Sequence, residues 1–271
     1  MAQNIKWYNK NFIDIDNPDP TITITDSVAT DTGQSYVDYM INRNNTSGWR
    51  TTGSNDSANT QIDIDMIDTY GIDRILLVNH NLKAFTIQYY NGASYTDFST
   101  PINETTNTNT TNEFSFNSVQ TSQIRIIITG TQVADEDKLI SQLIITTALG
   151  QFEGWPQIVK PTISKNKKNS RLLSGKSLVT RQVGSFSCEL SVENWNNSND
   201  LDLVESIYFN PTGVLMWVNA GDDSQFSRTN IGYRSKDIYL VYPVNEYIPE
   251  FYKFYYNTGI KIKIKLAEVV R

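Results

Sequence analysis

One histidine and one cysteine bound the nucleophilic chemistry open to this chain. A Ser-His-Asp or Cys-His hydrolase would have to use His80, and a thiol nucleophile would have to be Cys188. Phe186, Cys188, Leu190 and Val192 interleave with Ser187, Glu189, Ser191 and Glu193, which puts the thiol on the apolar side of a strand as a small core residue. His80 follows an apolar run and is flanked by Asn79 and Asn81, the setting of a turn histidine bonded to backbone. No G-x-S-x-G elbow, phosphate-cradling glycine loop or Cys/His zinc spacing occurs. The clearest carboxylate pair is Asp63 and Asp65, alternating with Ile62 and Ile64 on one face of a strand. Two such acids suit a metal or acid-base site, but far more often they are the wet face of a sheet. These residues signal no catalytic centre, no metal site and no cofactor, so the chain reads as a non-enzyme.

Length and charge narrow the partners. At 271 residues there is room for two self-sufficient cores. The net charge of −6 is unevenly spread: residues 1–150 hold 8 Lys and Arg against 17 Asp and Glu, while 151–271 hold 15 against 12. An acidic first half repels nucleic acid and anionic lipid, so neither is expected as a partner. A single cysteine permits no intramolecular disulfide framework. The first residues, MAQNIKWYNKNF, lack the apolar core of a secretory signal, and no apolar run approaches the ~20 residues that span a bilayer. Synthesis in a cytoplasm and no membrane insertion are the expectations.

The elements that would position any site are strands. Residues 1–20 contain Trp7-Tyr8 and Phe12 and close on Asn17-Pro18-Asp19-Pro20, a lead-in or docking arm of the first half. Thr21 to Thr25 alternates β-branched residues, Ser35 to Ile41 forms an apolar patch, and a polar loop from Asn42 to Gly48 stops at Trp49. Ile75 to Val78 is a buried run, and Phe85, Ile87 and Tyr89 alternate with polar residues until Asn91-Gly92 offers a turn. Pro101 to Asn112 is rich in Asn and Thr and is expected as a surface loop. Ile124 to Ile128 and Leu143 to Ile145 complete a set of sandwich strands without helical periodicity.

That order of strands and loops, over roughly residues 20–148, resembles discoidin-like domains, which are galactose-binding-like jelly rolls. The family often has an Asp-Gly-Asn loop ending in Thr-x-Trp that can hold calcium over a packed tryptophan. Here the loop reads Asn42-Arg43-Asn44 and ends Ser47-Gly48-Trp49, and Gln142 stands where the last strand often has Glu. Calcium prefers carboxylate oxygens, so the resemblance implies no tight calcium site. It also implies that a glycan, if held, would meet Tyr36, Arg43, Trp49 and Arg50 by stacking and hydrogen bonds.

Past Gln151, Trp155-Pro156 and Lys160-Pro161 mark a boundary, followed by an expected basic loop with Lys165, Lys167, Lys168, Arg171, Lys176 and Arg181. Asp200 and Asp202 suit the start of a helix in which Leu201, Val204, Ile207 and Tyr208 recur at helical spacing, and Asn210-Pro211-Thr212-Gly213 stops it. Val214 to Val218, Ile238 to Val244 and Phe251 to Tyr256 return to strand. The last strand sets Ile260, Ile262, Ile264 and Leu266 against Lys261, Lys263 and Lys265, the lysines expected on an edge or interface strand. A sandwich with one helix between strands, ending this way, resembles the tail-tube-like fold of phage tail tube and distal tail proteins over about residues 155–271.

The fold expected is thus all-β: a discoidin-like sandwich over 1–150 and a tail-tube-like sandwich with one helix over 151–271. The function implied by the two resemblances is that of a structural virion protein of a phage tail or tail-like device. It would form a homo-oligomeric ring of six or three copies against neighbouring tail or baseplate proteins. The alternative is a carbohydrate-binding module that recognises a cell-surface glycan through the discoidin-like loops.

Overall fold

The computed structural model describes residues 5–16, 20–26, 34–43, 48–52, 58–152, 157–164, 167–171, 177–181, 185–194, 198–217, 238–254 and 257–268. The chain divides into two compact units, one of Asn11–Ala148 and one joining Met1–Lys10 to Leu149–Arg271. Strand β1 (Lys6–Tyr8) belongs to the latter.

The Asn11–Ala148 unit contains β2 (Thr21–Asp26), a 3-10 helix (Gln34–Met40), β3 (Trp49–Arg50), β4 (Thr60–His80), β5 (Leu82–Tyr90), β6 (Tyr95–Glu104), β7 (Thr111–Thr131) and β8 (Leu139–Thr146). Two long strands organise it. β4 and β7, 21 residues each, pair antiparallel, and their register breaks between Asp65 and Tyr70. There Ile67 takes a φ of 66° and its N–H bonds the Asp65 carboxylate. Such a bulge bends a ribbon and lets one strand serve two sheets. Before the bend β4 lies between β2 and β7, and β7 leads on to β5 and β6. After it, β4 lies between β7 and β8, and β8 leads on to β3. The result is a jelly-roll sandwich.

Alternation fills its interior. Ile22, Ile24, Ile62, Ile64, Ile124, Ile126, Phe85 and Ile87 from one layer share a core with Ile75, Leu77, Leu143 and Ile145 from the other. Burying each such side chain contributes roughly 2 kcal/mol. Asn91-Gly92 makes the expected turn: Gly92 has a φ of 95°, and the Asn91 side-chain oxygen accepts from the N–H groups of Ala93 and Ser94. The expected loop from Pro101 to Asn112 is shorter than its composition suggests. Pro101 to Glu104 lies in β6, where Ile102 pairs with Ile87 and is buried. Proline is tolerated there because β6 is an edge strand.

The second unit has β9 (Ala148–Gly150), β10 (Gln157–Ser164), β11 (Lys167–Arg171), β12 (Ser177–Arg181), β13 (Ser185–Asn194), α1 (Ser198–Tyr208), β14 (Val214–Trp217), β15 (Ile238–Pro243), β16 (Glu250–Phe254) and β17 (Asn257–Glu268). Its main sheet runs β10-β13-β17-β15-β14-β1-β9, with β16 pairing β17. Leu203, Val204 and Ile207 of α1 pack with Ile262, Ile264 and Leu266 of β17, and Cys188, Leu190 and Val192 join them.

Three expectations change here. The N-terminal lead-in gives a strand to this unit: β1 pairs β14, and Trp7, fully buried, meets Phe152 edge to face at 6.1 Å. The expected basic loop contains an antiparallel ribbon, β11 against β12, with Lys167 opposite Arg181. Lys165 and Lys176, like Trp155-Pro156, lie outside the described residues, while Pro161 falls inside β10 next to an irregularity in its register. The lysine-faced β17 is an interior strand between β13 and β15, not an edge. Lys261 stands opposite Glu193 and Lys265 opposite Glu189, so these lysines mark the outer face of a paired strand.

Candidate functional site

In the 3-10 helix Gln34–Met40 the sequence puts Val37 and Met40 inward, where both are buried, and turns Tyr36 and Tyr39 outward. Residues three apart eclipse in a 3-10 helix, so the two rings sit together. Their centroids are 5.6 Å apart at 33°, and the residues are 44% and 41% exposed. An aromatic pair left this open is a ready apolar platform with two hydroxyl groups at its rim. The helix packs against β3 and β8.

The chain then turns at Arg43, whose φ is 61°. Its guanidinium donates to both oxygens of Asp14, at 2.6 Å and 2.5 Å, and also bonds Asp16. Asp14 is buried, so this is a bidentate pair inside the loop base. Asn44 and Ser47 lie outside the described residues. Gly48 brings the chain back against β8 so closely that a Cβ would meet the Ile140 carbonyl and the Ser141 Cα at 2.9 Å. Trp49 follows, fully buried in the sandwich core opposite Ile140, and Arg50 is exposed opposite Leu139.

Of the four residues expected at a glycan, Tyr36 and Arg50 face solvent and their elements adjoin. Arg43 is occupied by two carboxylates. Trp49 is a correction: with no exposed surface it cannot stack on a sugar, and it is part of the sandwich core. Tyr39, which the loop pattern did not single out, stands three residues from Tyr36 and shares its exposed face. That spacing acquires meaning only once the segment is known to be a 3-10 helix.

Among the described residues at the base of this loop, both carboxylates, Asp14 and Asp16, are already paired with a cation, the Arg43 guanidinium. Gln142 is buried and its side-chain Nε2, a donor, has no hydrogen-bond partner, whereas calcium takes oxygen ligands. Among the described residues no group of three or more His, Cys, Asp or Glu is placed to hold a metal ion.

Asp63 and Asp65 belong to a solvated sheet face. Asp63 receives two bonds from Arg125, the residue directly across on β7, at 2.7 Å and 3.3 Å. The Arg125 guanidinium lies 3.7 Å from the Tyr95 ring centroid, Tyr95 bonds Gln123, and Gln123 bonds Asp65. The Asp63 carboxylate raises the Arg125 pKa further, and Tyr95 is raised by desolvation first and by Asp63 next.

His80 is buried. Its Nδ1 accepts the Leu82 N–H at 3.2 Å, which leaves the proton on Nε2 to bond the Asn112 side-chain oxygen at 2.8 Å. Asn79, at a φ of 50°, sets the turn of chain that brings the ring edge-on to Phe85. Burial lowers the His80 pKa to about 4, against a smaller opposing effect of Asn112. At neutral pH it is an uncharged, doubly bonded turn residue. Cys188 is buried on the apolar face of β13, and desolvation pushes its thiol up to about 12.

No curated protein matches the chain. Among solved structures, chitosan-binding module 1 of a chitosanase/glucanase from Paenibacillus sp. IK-5 is similar at 16% identity, covering 51% of this chain and 98% of that one, with a TM-score of 0.41. The family 32 carbohydrate-binding module of Streptococcus pneumoniae EndoD is similar at 13%, covering 47% and 97%, with a TM-score of 0.39. A GH29 fucosidase of Ruminococcus gnavus is similar at 18% over 51% of this chain but only 27% of its own length, with a TM-score of 0.40. Residues 23–141 match the family described as F5/8 type C domain. The Asn11–Ala148 unit is a discoidin-like jelly-roll β-sandwich, and the described residues of the chain are mostly strand, with one α-helix among them.

Proposed function

We propose that this protein is a non-catalytic binding protein whose discoidin-like unit holds a glycan at the Tyr36–Tyr39 face. The observation that carries this is the pair of half-exposed tyrosine rings on a short helix braced by buried Val37 and Met40. Sugar rings present apolar C–H faces edged by hydroxyl groups, which suit an aromatic platform beside a guanidinium such as that of Arg50. Arg43, three residues past the helix, is held by Asp14, and Trp49 shares the core with Val37 and Met40 beneath the two tyrosines. The test is binding of the whole chain to arrayed bacterial polysaccharides and oligosaccharides. Tyr36→Ala with Tyr39→Ala should weaken it at least about ten-fold, as loss of a central aromatic anchor does. No binding by the wild type to any glycan, or equal binding by the double variant with an unchanged fold, would overturn the reading.

A second reading is a structural virion protein of a phage tail or tail-like device, made in the host cytoplasm. In it the second unit would build a homo-oligomeric ring of six or three copies against neighbouring tail proteins. Its support is the order of strand, helix and apolar strand in that unit, together with Phe209, Val244 and Ile248, each 63% exposed. Native mass measurement of the whole chain tests it, and a monomer at every attainable concentration would count against it.

A further inference from the structure

The Tyr36–Tyr39 face has two charged neighbours that no described residue engages. Asp38 lies on the same 3-10 helix, between the two tyrosines in sequence, and is exposed. Arg50 is exposed on β3, the strand that packs against that helix. Among the described residues neither side chain is hydrogen-bonded or ion-paired, so the two do not neutralise each other although their elements adjoin. Arg43, by contrast, is held by Asp14 and Asp16.

Each residue of a 3-10 helix is turned about a third of a circle from the one before it. Tyr36 and Tyr39 therefore share one face, buried Val37 and Met40 a second, and Asp38 takes the third, flanking the ring pair without covering it. An aromatic face attracts a cation, and a free carboxylate on its flank adds a charged acceptor, so this side suits a protonated amine. The Arg50 guanidinium suits a carboxylate or phosphate. Either charge alone is opposed. An amine by itself meets the charge of Arg50, and a purely anionic chain meets a unit that holds 6 Lys and Arg against 17 Asp and Glu over residues 11–148. A ligand of both signs has no net charge to be repelled and offers each side chain a partner.

We infer that the glycan held at the Tyr36–Tyr39 face is zwitterionic: a sugar chain with a protonated amine for Asp38 and a carboxylate or phosphate for Arg50, its ring faces against the tyrosines. This inference rests on the glycan reading of that face and names its substrate class. The rings supply most of the contact, while Asp38 and Arg50 set the specificity. Both charges are exposed, so each pairing contributes only about two- to five-fold in affinity and weakens as salt rises.

Isothermal titration of the whole chain with four oligosaccharides of matched length tests it. They are an N-acetylglucosamine oligomer, which is neutral; a glucosamine oligomer, with amines only; hyaluronan, with carboxylates only; and de-N-acetylated hyaluronan, with both. At low salt the wild type should bind the last at least about two-fold more tightly than each of the others, and high salt should shrink that margin. Asp38→Asn should remove the advantage over hyaluronan, and Arg50→Gln the advantage over the glucosamine oligomer. Both positions are exposed, and circular dichroism checks that the fold is kept. A wild type that binds no glycan at all overturns the glycan reading and this inference together. Three results overturn this inference alone: binding to other glycans but to none of these four, equal or tighter binding of any oligomer that lacks one of the two charges, or a zwitterion preference that survives both substitutions.

Discussion

Arg43 grips both oxygens of Asp14 from 29 residues away, and the pair closes the base of the loop that runs on to Trp49. The side chains are 13% and 4% exposed, so neither charge is readily rehydrated if its partner is lost. Arg43→Ala should destabilise the protein by roughly 3 kcal/mol, the cost of stranding a buried carboxylate. Millimolar calcium should not rescue it, and in the wild type calcium and chelator should give equal unfolding midpoints. A calcium-dependent rise in midpoint would show that loop oxygens suffice as ligands.

His80 gives stability a pH dependence of known sign. Folding lowers its pKa from 6.5 to about 4, so between those values the unfolded chain binds the proton and the folded chain does not. Its contribution is complete above about pH 6.5 and is lost as pH falls to about 4, for a total near 3 kcal/mol. Urea unfolding at pH 7 and pH 4.5 should show this loss in the wild type and a smaller one in His80→Gln.

Cys188 should be inert while the protein is folded. With its thiol pushed up to about 12, only about one molecule in 10,000 is thiolate at pH 8. A thiol-reactive dye should label it fully in denaturant and negligibly in native buffer.

Trp49 and Arg50 are adjacent but should behave oppositely. Trp49→Ala empties a fully buried site and should cost about 3 to 5 kcal/mol, whereas Arg50→Ala at the surface should change stability by less than about 0.5 kcal/mol. Thermal unfolding of both variants checks this. If Trp49→Ala kept the wild-type midpoint, the tryptophan would not be a core residue.

The unit boundaries predict where the chain can be cut. Residues 11–148 should fold alone with a cooperative transition. Residues 149–271 should not reach full stability, because they lack β1 and the buried Trp7. Adding a peptide of residues 1–10 should raise their unfolding midpoint.

Alternation and composition alone announced most strands here. Ile62 and Ile64, Phe85 and Ile87, and Cys188 and Leu190 have the sides their period of two assigns, while of the helical face read from a period of 3.6 Val204 and Ile207 are buried, Leu201 and Tyr208 only partly so, and Leu203 joins the core unannounced. The Asn91-Gly92 turn and the helix stop at Asn210 to Gly213 were equally local, since each depends on a backbone conformation that one or two residues favour. What these patterns cannot express is who pairs with whom. β1 is three residues long and carries no period, so its place beside β14 depends on contacts made some two hundred residues away. A lysine-striped strand reads the same at an edge or in the interior, and only its neighbours β13 and β15 decided the latter. The site divides in the same way. Sequence placed Tyr36, Arg43, Trp49 and Arg50 near one loop, but burial and ion pairing are sums over distant partners. Tertiary structure alone therefore turned Trp49 inward, tied Arg43 to Asp14, and left Tyr36 and Tyr39 facing water.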